Sequence, residues 1–275
     1  MKEFIRFMKN SHVESYAVLP FSSCRVTRAY LYEREENFRP CSVLVFLIPY
    51  YAGETENLSV YAASRDYHLF MKTFESALLE ALRSDFPENR FLPFSDHSPI
   101  DERDAAARAG LGVIGDNGLL LTERYSSFVF LGEVLSDVSP ESFGLPLPDE
   151  KIGHCLHCGA CAAACPTGIL RHAGNDCLSA ITQKKGELTE EETAMMRKYH
   201  TVWGCDICQN VCPYTRKAKA GGTIETPIPF FHEDRVTRLD EDYLLSLNDK
   251  EFAECAFSWR GREVPLRNVR AVKKP

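Results

Sequence analysis

Cysteines are the residues here most able to do chemistry. Of the eleven in 275 residues, eight lie between Cys155 and Cys212. The first group reads Cys155-Leu-His-Cys158-Gly-Ala-Cys161-Ala-Ala-Ala-Cys165-Pro166. Three thiols spaced two residues apart wrap one corner of a 4Fe–4S cubane, and the fourth, before a proline, is turned toward a second cluster. Gly159, Ala160 and Ala162 to Ala164 are small enough to let backbone N–H groups approach the sulfides. The second group, Cys205-Asp-Ile-Cys208-Gln-Asn-Val-Cys212-Pro213, is one cysteine short, and Cys177 is the replacement. One cluster then takes Cys155, Cys158, Cys161 and Cys212, and the other takes Cys165, Cys177, Cys205 and Cys208. Zinc is the competing reading, since cysteine pairs also build zinc ribbons, but zinc requires neither the repeated proline ending nor the crossed pattern. His154 and His157 flank the motif; with eight thiols present they are expected to tune potential or to serve structure. Cys24, Cys41 and Cys255 lie outside it and are expected to be small buried apolar residues.

Two clusters alone make an electron conduit, and about 150 residues precede them, far more than a carrier needs. Residues 1–140 read as mixed α/β and are expected to hold a second cofactor or a substrate pocket. Residues 15–20 and 42–51 are rich in β-branched and aromatic residues and predict strands. Leu69, Phe70, Phe74, Leu78, Leu79 and Leu82 recur at helical spacing and predict a helix over 64–82. A short alanine-rich helix is expected over 101–109, stopped by Gly110. Strands at 118–122 and 127–135 follow, joined by the polar turn at 123–126. Glu133 stands in the second of these beside Phe128, Phe130 and Leu131, a buried acid that needs a partner. Residues 138–150 contain three prolines and read as a linker. The cluster module occupies 141–216, with a charged helix over 188–199. Residues 217–275 form a C-terminal extension packing on the core, with one helix over 240–252 capped by Asp240. The class is α+β, an α/β domain followed by a ferredoxin-like two-cluster domain.

Composition narrows the partners. A net charge of −7 gives no global attraction for nucleic acid. The dense basic stretch Arg260, Arg262, Arg267, Arg270, Lys273 and Lys274 reads as a solvated tail or a phosphate contact. No apolar run reaches the length of a membrane span, and the charged N-terminus carries no export signal, so a cytoplasmic protein with no membrane partner is expected. No Gly-x-Gly-x-x-Gly opens a helix and no Walker sequence is present, so nucleotide binding has no support. Gly110, Gly112 and Gly115 end a helix and read as a tight turn.

Several segments, in order, resemble the cobalamin-dependent epoxyqueuosine reductases, relatives of the reductive dehalogenases. They are Ser64-Arg65-Asp66-Tyr67-His68, Phe94-Ser95-Asp96-His97-Ser98-Pro99-Ile100, Glu102-Arg103, Ala109-Gly-Leu-Gly112-x-x-Gly115, Phe130-Leu-Gly-Glu133 and both cysteine runs. Leu266-Arg267-Asn268-Val269 adds a fainter match. The resemblance implies electrons passing from an external donor, such as a ferredoxin or flavodoxin, through two 4Fe–4S clusters to a base-off cobalamin. The corrin then helps remove the epoxide oxygen of epoxyqueuosine in tRNA. It places the proton-donating acid on Asp96, with Arg103 orienting substrate or holding Asp96. It places corrin contacts on Tyr67, His68, Gly110, Gly112 and Gly115. The chain departs from the family where a basic or aromatic pair usually follows the third glycine: it carries Asp116-Asn117. It reads as a short member, with a shortened N-terminal region and without the C-terminal helical-repeat domain that grips tRNA. A corrinoid reductase of another, smaller substrate and a two-cluster electron carrier are the alternative activities.

Overall fold

The structure is a computed structural model and describes residues 2–145, 153–172, 174 and 176–273. The chain divides into two compact units, Met1–Pro49 with Met71–His157, and Tyr50–Phe70 with Cys158–Pro275.

The first unit is built on a four-stranded antiparallel sheet. Its strands are β1 (Tyr16–Pro20), β2 (Ser42–Pro49), β3 (Phe91–Ser95) and, from later in the chain, a long strand Val129–Ser136. The spatial order places β2 and Val129–Ser136 at the centre and β1 and β3 at the edges. All eight residues of β2 are buried, as an apolar run in a central strand should be. Pro93 is tolerated because β3 lies at an edge. Helix α1 (Glu3–Asn10) is capped by the carboxylate of Asp85, which accepts from the Glu3 and Phe4 N–H groups at 2.9 Å each. A short α2 (Tyr30–Glu33) follows β1. Helix α3 (Tyr67–Asp85) starts three residues later than expected, because the Asp66 side chain accepts the His68 N–H at 3.0 Å and caps it. Phe74 of α3 meets the Phe46 ring at 5.2 Å. A Cβ on Gly132, opposite Phe46, would come within 2.4 Å of that ring, so a central strand carries a glycine there.

Helix α4 (Glu102–Arg108) packs Ala105, Ala106 and Ala109 with Val43, Val45, Leu47 and Leu135. Asp101 caps it, accepting from the Asp104 N–H at 3.2 Å. Gly110 ends it at φ +71, and the Gly110 and Leu111 N–H groups return to the carbonyls of Ala107 and Ala106. The chain then makes a small ribbon, β4 (Val113–Ile114) paired with β5 (Leu120–Leu121), shorter than the strand expected at 118–122. The turn at 123–126 closes by a bridge between Thr122 and Ser126, and β6 (Val129–Ser136) re-enters the sheet. Of the expected linker, Pro140–Phe143 forms a 3-10 turn with Phe143 buried, and residues 146–150 lie outside the described residues.

The second unit is helical among its described residues: α5 (Ala160–Ala164), α6 (Leu178–Thr182), α7 (Glu190–Lys198), α8 (Ile207–Asn210), α9 (Pro213–Ala220), α10 (Glu241–Ser246), α11 (Asp249–Ala253) and α12 (Glu263–Lys273). A reciprocal capping box between Thr189 and Glu192 starts α7. The single helix expected over 240–252 is two. Leu247 is extended, and Asn248 and Glu251 form a second capping box that restarts the chain as α11. As far as Lys273 the basic C-terminal stretch is no solvated tail, and Lys274 lies outside the described residues. Val264, Leu266 and Val269 of α12 are core, and buried Asn268 donates to the Thr182 and Val202 carbonyls at 2.6 and 2.8 Å. Arg270 pairs with Glu241 at 2.8 Å, and Arg262 and Arg267 donate to backbone carbonyls. Residues 50–70 belong to this unit, not to a 1–140 domain: the Val202 N–H donates to the Asn57 carbonyl and the Ser59 N–H to the Trp203 carbonyl, each at 2.7 Å. No helix among the described residues is long and apolar enough to cross a membrane.

Candidate cluster site and acid centre

Four of the eight cysteines gather in the second unit. Cys165 precedes the proline that stops α5, Cys177 caps α6, and Cys205 and Cys208 flank the start of α8. Burial pushes the Cys205 thiol up to about 11 and the Cys208 thiol up to about 12, and the charges of Cys177 and Cys165 add to both. For Cys165, burial raises the pKa, but the N–H groups of Leu170, Thr167 and Gly168 and the Thr167 hydroxyl outweigh it. None of the eleven cysteines is in a disulfide. Crowded thiols with backbone donors aimed at sulfur are what an iron–sulfur cluster needs, since the metal charge holds thiolates that otherwise repel. Cys158, Cys161 and Cys212 also belong to this unit and Cys155 to the first. The Cys155 sulfur, an Asp116 oxygen and a His157 nitrogen lie within 4.8 Å of one another. His157, at φ +47, turns its Nδ1 onto Asp116 at 2.8 Å. Asp116, one of the two departures from the family pattern, is therefore engaged; its neighbour Asn117 accepts from the Leu119 N–H within the ribbon turn. The remaining cysteines correct an expectation. Cys41 is exposed and Cys24 and Cys255 are only partly buried, each thiol donating to a backbone carbonyl.

The first unit carries an acid centre. Asp96 follows the last residue of β3 at φ +64, and the His97 N–H closes on the Ser95 carbonyl at 2.7 Å. A left-handed residue that is not glycine in such a tight turn is strained and must be held by its surroundings. The holding bonds are visible. The Thr27 and Arg28 N–H groups donate to the Pro99 carbonyl at 2.8 and 3.0 Å, Arg28 donates to the Ser98 carbonyl, and the Tyr30 hydroxyl meets His97 Nε2 at 3.2 Å. Asp96 is exposed. Arg103 is exposed on α4, where it donates to the Gly118 carbonyl at 2.6 Å and so ties the helix to the ribbon turn.

Sequence reasoning marked Glu133 as a buried acid but missed Glu102 and the link between the two acids behind Asp96. The Glu102 carboxyl accepts the Asp96 backbone N–H, and burial together with the Asp96 charge pushes it up to about 7, against Arg28 and Arg103. Glu133 sits in β6 opposite Val45 and Phe94, 1% exposed. Burial, and then the charges of Glu102 and Glu75, drive its carboxyl well above the ordinary range. Ser98 and Glu102 face it, yet neither Glu133 oxygen completes a hydrogen bond. The available signal was an acid within an apolar strand.

The other expected cofactor residues have local explanations as well. Tyr67 stacks on His68 at 4.1 Å, and the exposed His68 places Nδ1 2.7 Å from Asp66, whose carboxyl it lowers despite burial. Gly110 needs its positive φ, while a Cβ on Gly112 or Gly115 would run into Leu120 or Leu121. Around the acid centre, Val26, Tyr30 and Ile114 are 40%, 59% and 44% exposed. They lie on segments bonded to the 97–100 turn or following α4. Exposed apolar side chains beside polar groups mark a ligand surface.

Comparison with known proteins gives these features a context. Residues 154–215 match the family described as a 4Fe-4S double cluster binding domain. An epoxyqueuosine reductase of Leadbetterella byssophila is 32% identical over 243 residues, 85% of this chain and 77% of that protein. One from Lactococcus garvieae is 32% identical over 218 residues, 74% of this chain and 57% of that protein. One from Aliivibrio fischeri is 34% identical over 194 residues, 66% of this chain and 50% of that protein. The chain thus spans only about half of some relatives it matches. In fold it is similar to epoxyqueuosine reductase of Streptococcus thermophilus, with a TM-score of 0.78 at 21% identity. A reductase solved with an epoxyqueuosine-modified tRNA stem loop gives 0.75 at 23% identity. The Bacillus subtilis reductase, seen with the loop of a catalytic aspartate swung out of its active site, gives 0.72 at 22%. Each comparison covers 98% of this chain and 80% of the other.

Proposed function

The chain belongs to the epoxyqueuosine reductase family, and from that premise we propose that it reduces epoxyqueuosine to queuosine in tRNA, using two 4Fe–4S clusters and cobalamin. The observation that carries the reading is the acid centre: an exposed carboxyl, Asp96, in a strained turn ringed by apolar and basic groups, on a chain that also carries a double-cluster segment.

Removing an epoxide oxygen as water takes two electrons and two protons. The electrons would come from an external donor of the ferredoxin or flavodoxin class, and the two clusters would supply the one-electron carriers. Cys155, Cys158, Cys161 and Cys212 would hold one cluster, and Cys165, Cys177, Cys205 and Cys208 the other. Cobalamin, when bound, supplies a two-electron reductant to the C–O bond. The chain's own residues do the rest. Tyr67, His68 and the turn of Gly110, Gly112 and Gly115 are the residues that would contact the corrin. Asp96 donates a proton to the leaving oxygen, a role worth about 10²–10⁴-fold in rate. Arg103, its guanidinium fixed at the Gly118 carbonyl, orients the substrate. The overall charge of −7 does not attract RNA, but Arg25, Arg28 and Arg103 lie exposed around Asp96 with Tyr30 and His97. Cations beside rings suit a single-stranded loop, whose splayed bases stack on aromatic side chains.

The test is anaerobic purification with iron and cobalt analysis, then incubation with cobalamin, a reduced donor and an RNA stem loop carrying epoxyqueuosine. Loss of one oxygen from the modified base, read by mass spectrometry, is the expected result. Bound corrin without conversion would overturn the tRNA reading in favour of a smaller substrate. About eight irons per chain with no corrin binding would leave an electron-transfer protein.

A further inference from the structure

Glu133 is 1% exposed, and among the described residues neither of its oxygens meets a donor at good hydrogen-bond geometry, although the Ser98 hydroxyl and the Glu102 carboxyl face it. An ionised carboxylate left so is among the costliest groups a fold can bury. The groups that face it are Ser98, Glu102 and Glu75, with Cys24 within electrostatic range. None is a cation. The groups that face Glu102 are Glu133, Asp96, Arg28 and Arg103, and the Asp96 backbone N–H donates to it. Two ionised carboxylates here would repel without a donor between them. One added proton converts the pair into O–H···O and removes both faults at once. Such a pair titrates as a unit.

Resting on the reading of Asp96 as proton donor, we infer that Glu102 and Glu133 hold a shared proton beside Asp96 and that Glu102 hands it to the spent Asp96 carboxylate. The order of the groups supports this. Glu133 is on the buried central strand β6, Glu102 opens α4 and touches the Asp96 backbone, and Asp96 is exposed. The proton balance closes. Asp96 gives its proton to the departing oxygen and becomes a carboxylate. Glu102 reprotonates it with the one proton the pair shares, leaving both glutamates ionised, and Asp96 gives the second proton. Both C–O bonds of the epoxide break, a carbon–carbon double bond forms and water leaves. The two electrons come from the external donor, and solvent refills the pair afterwards. Glu102 is thus a positioning residue that acts through Asp96, and the pair keeps a proton available above the pH at which ordinary carboxyls are empty.

Infrared difference spectroscopy of the purified protein, without substrate, tests the store. A protonated carboxyl C=O band should persist near pH 7, weaken in Glu133→Gln and in Glu102→Gln, and titrate at lower pH in Asp96→Asn, where a neighbouring charge is gone. Absence of that band at neutral pH, or a titration unmoved by Asp96→Asn, overturns the inference whatever the activity. On epoxyqueuosine RNA, Glu102→Gln should keep its KM while every turnover, the first included, slows by about 10²-fold, with the loss steepest at high pH. Wild-type turnover and pH profile in a folded Glu102→Gln would refute the relay. A wild type that shows the band but does not reduce epoxyqueuosine would overturn the proposed reaction, and with it the hand-over to a spent Asp96.

Discussion

In the second unit four thiols crowd together, and burial with mutual repulsion pushes Cys205 and Cys208 up to about 11 and 12. In the first unit carboxyls crowd, and burial with the charges of their neighbours pushes Glu102 up to about 7 and Glu133 well above the usual range. Both are collections of would-be anions short of positive charge. They differ in what relieves them. Soft sulfur takes iron, and a cluster binds several thiolates at once; two carboxyls facing each other need only one proton. A third arrangement shows what relief by the protein looks like. Asp206 in the second unit is buried, yet it accepts from Ser59 Oγ at 2.5 Å, the Val60 N–H at 2.7 Å and Gln209 Nε2 at 2.9 Å. A buried acid that the fold itself satisfies is structure. One left without donors is waiting for something.

The strongest way to break the comparison is to remove a thiol. Cys177→Ala should lower iron from about eight to about four per chain and abolish electron delivery, while the first unit keeps its circular dichroism. Unchanged iron would mean that Cys177 does not ligate. Next in size, Asp96→Asn should cost about 10²–10⁴-fold in turnover with cluster absorbance and corrin binding intact. Near wild-type activity in that variant would remove Asp96 from the reaction.

A pair of isosteric changes sharpens the contrast between satisfied and unsatisfied acids. Asp206→Asn puts an amide donor where the Val60 N–H and the Gln209 amide already donate, and should destabilise by about 1–3 kcal/mol. Glu133→Gln removes a carboxyl that burial and neighbouring charges hold well above its ordinary range and should be neutral or stabilising at pH 8. Denaturant melts of the two variants at that pH decide it, and equal losses would erase the distinction.

The two regions were not equally legible. The thiol site is written locally: two short runs contain seven of its eight cysteines, and proximity along the chain forces proximity in space. The acid centre is assembled from Asp96 at the end of an edge strand, Glu102 at a helix start and Glu133 in a central strand, and only strand register brings β3 and β6 side by side. Glu133 could be marked as anomalous, but its partners could not be named. The same locality explains the elements. The stop at Gly110 and the cap at Asp240 are single-residue signals and lie where expected. The break at Leu247 was missed because the apolar periodicity of 240–252 runs through it, although Asn248 with Glu251 spells a capping box. The C-terminal cations read as solvated because nothing in 260–273 reveals that Arg270 meets Glu241 or that Asn268 bridges Thr182 and Val202.

The smallest expected effect is in stability against pH, and it tests the carboxyl half of the comparison without any cofactor. Glu102 is raised from 4.5 to about 7 in the folded chain, so between those values the folded state holds a proton that the unfolded state has released. Stability then falls as pH rises, because the unfolded state binds fewer protons. The contribution is full below about 4.5 and is lost by the time pH has passed about 7. Wild-type melting should therefore decline between pH 5 and 8 more than in Glu102→Gln, which carries no titrating carboxyl there. A difference near 1 kcal/mol would appear as roughly 2–4 °C in a chain of this size. Burial raises the Asp206 carboxyl as well, against its three hydrogen bonds, and Asp206→Asn should shift the whole curve down through the loss of those bonds. If Glu102→Gln follows the wild-type slope, the pair is not protonated in the folded state, and the two crowded regions would differ in more than the cation they await.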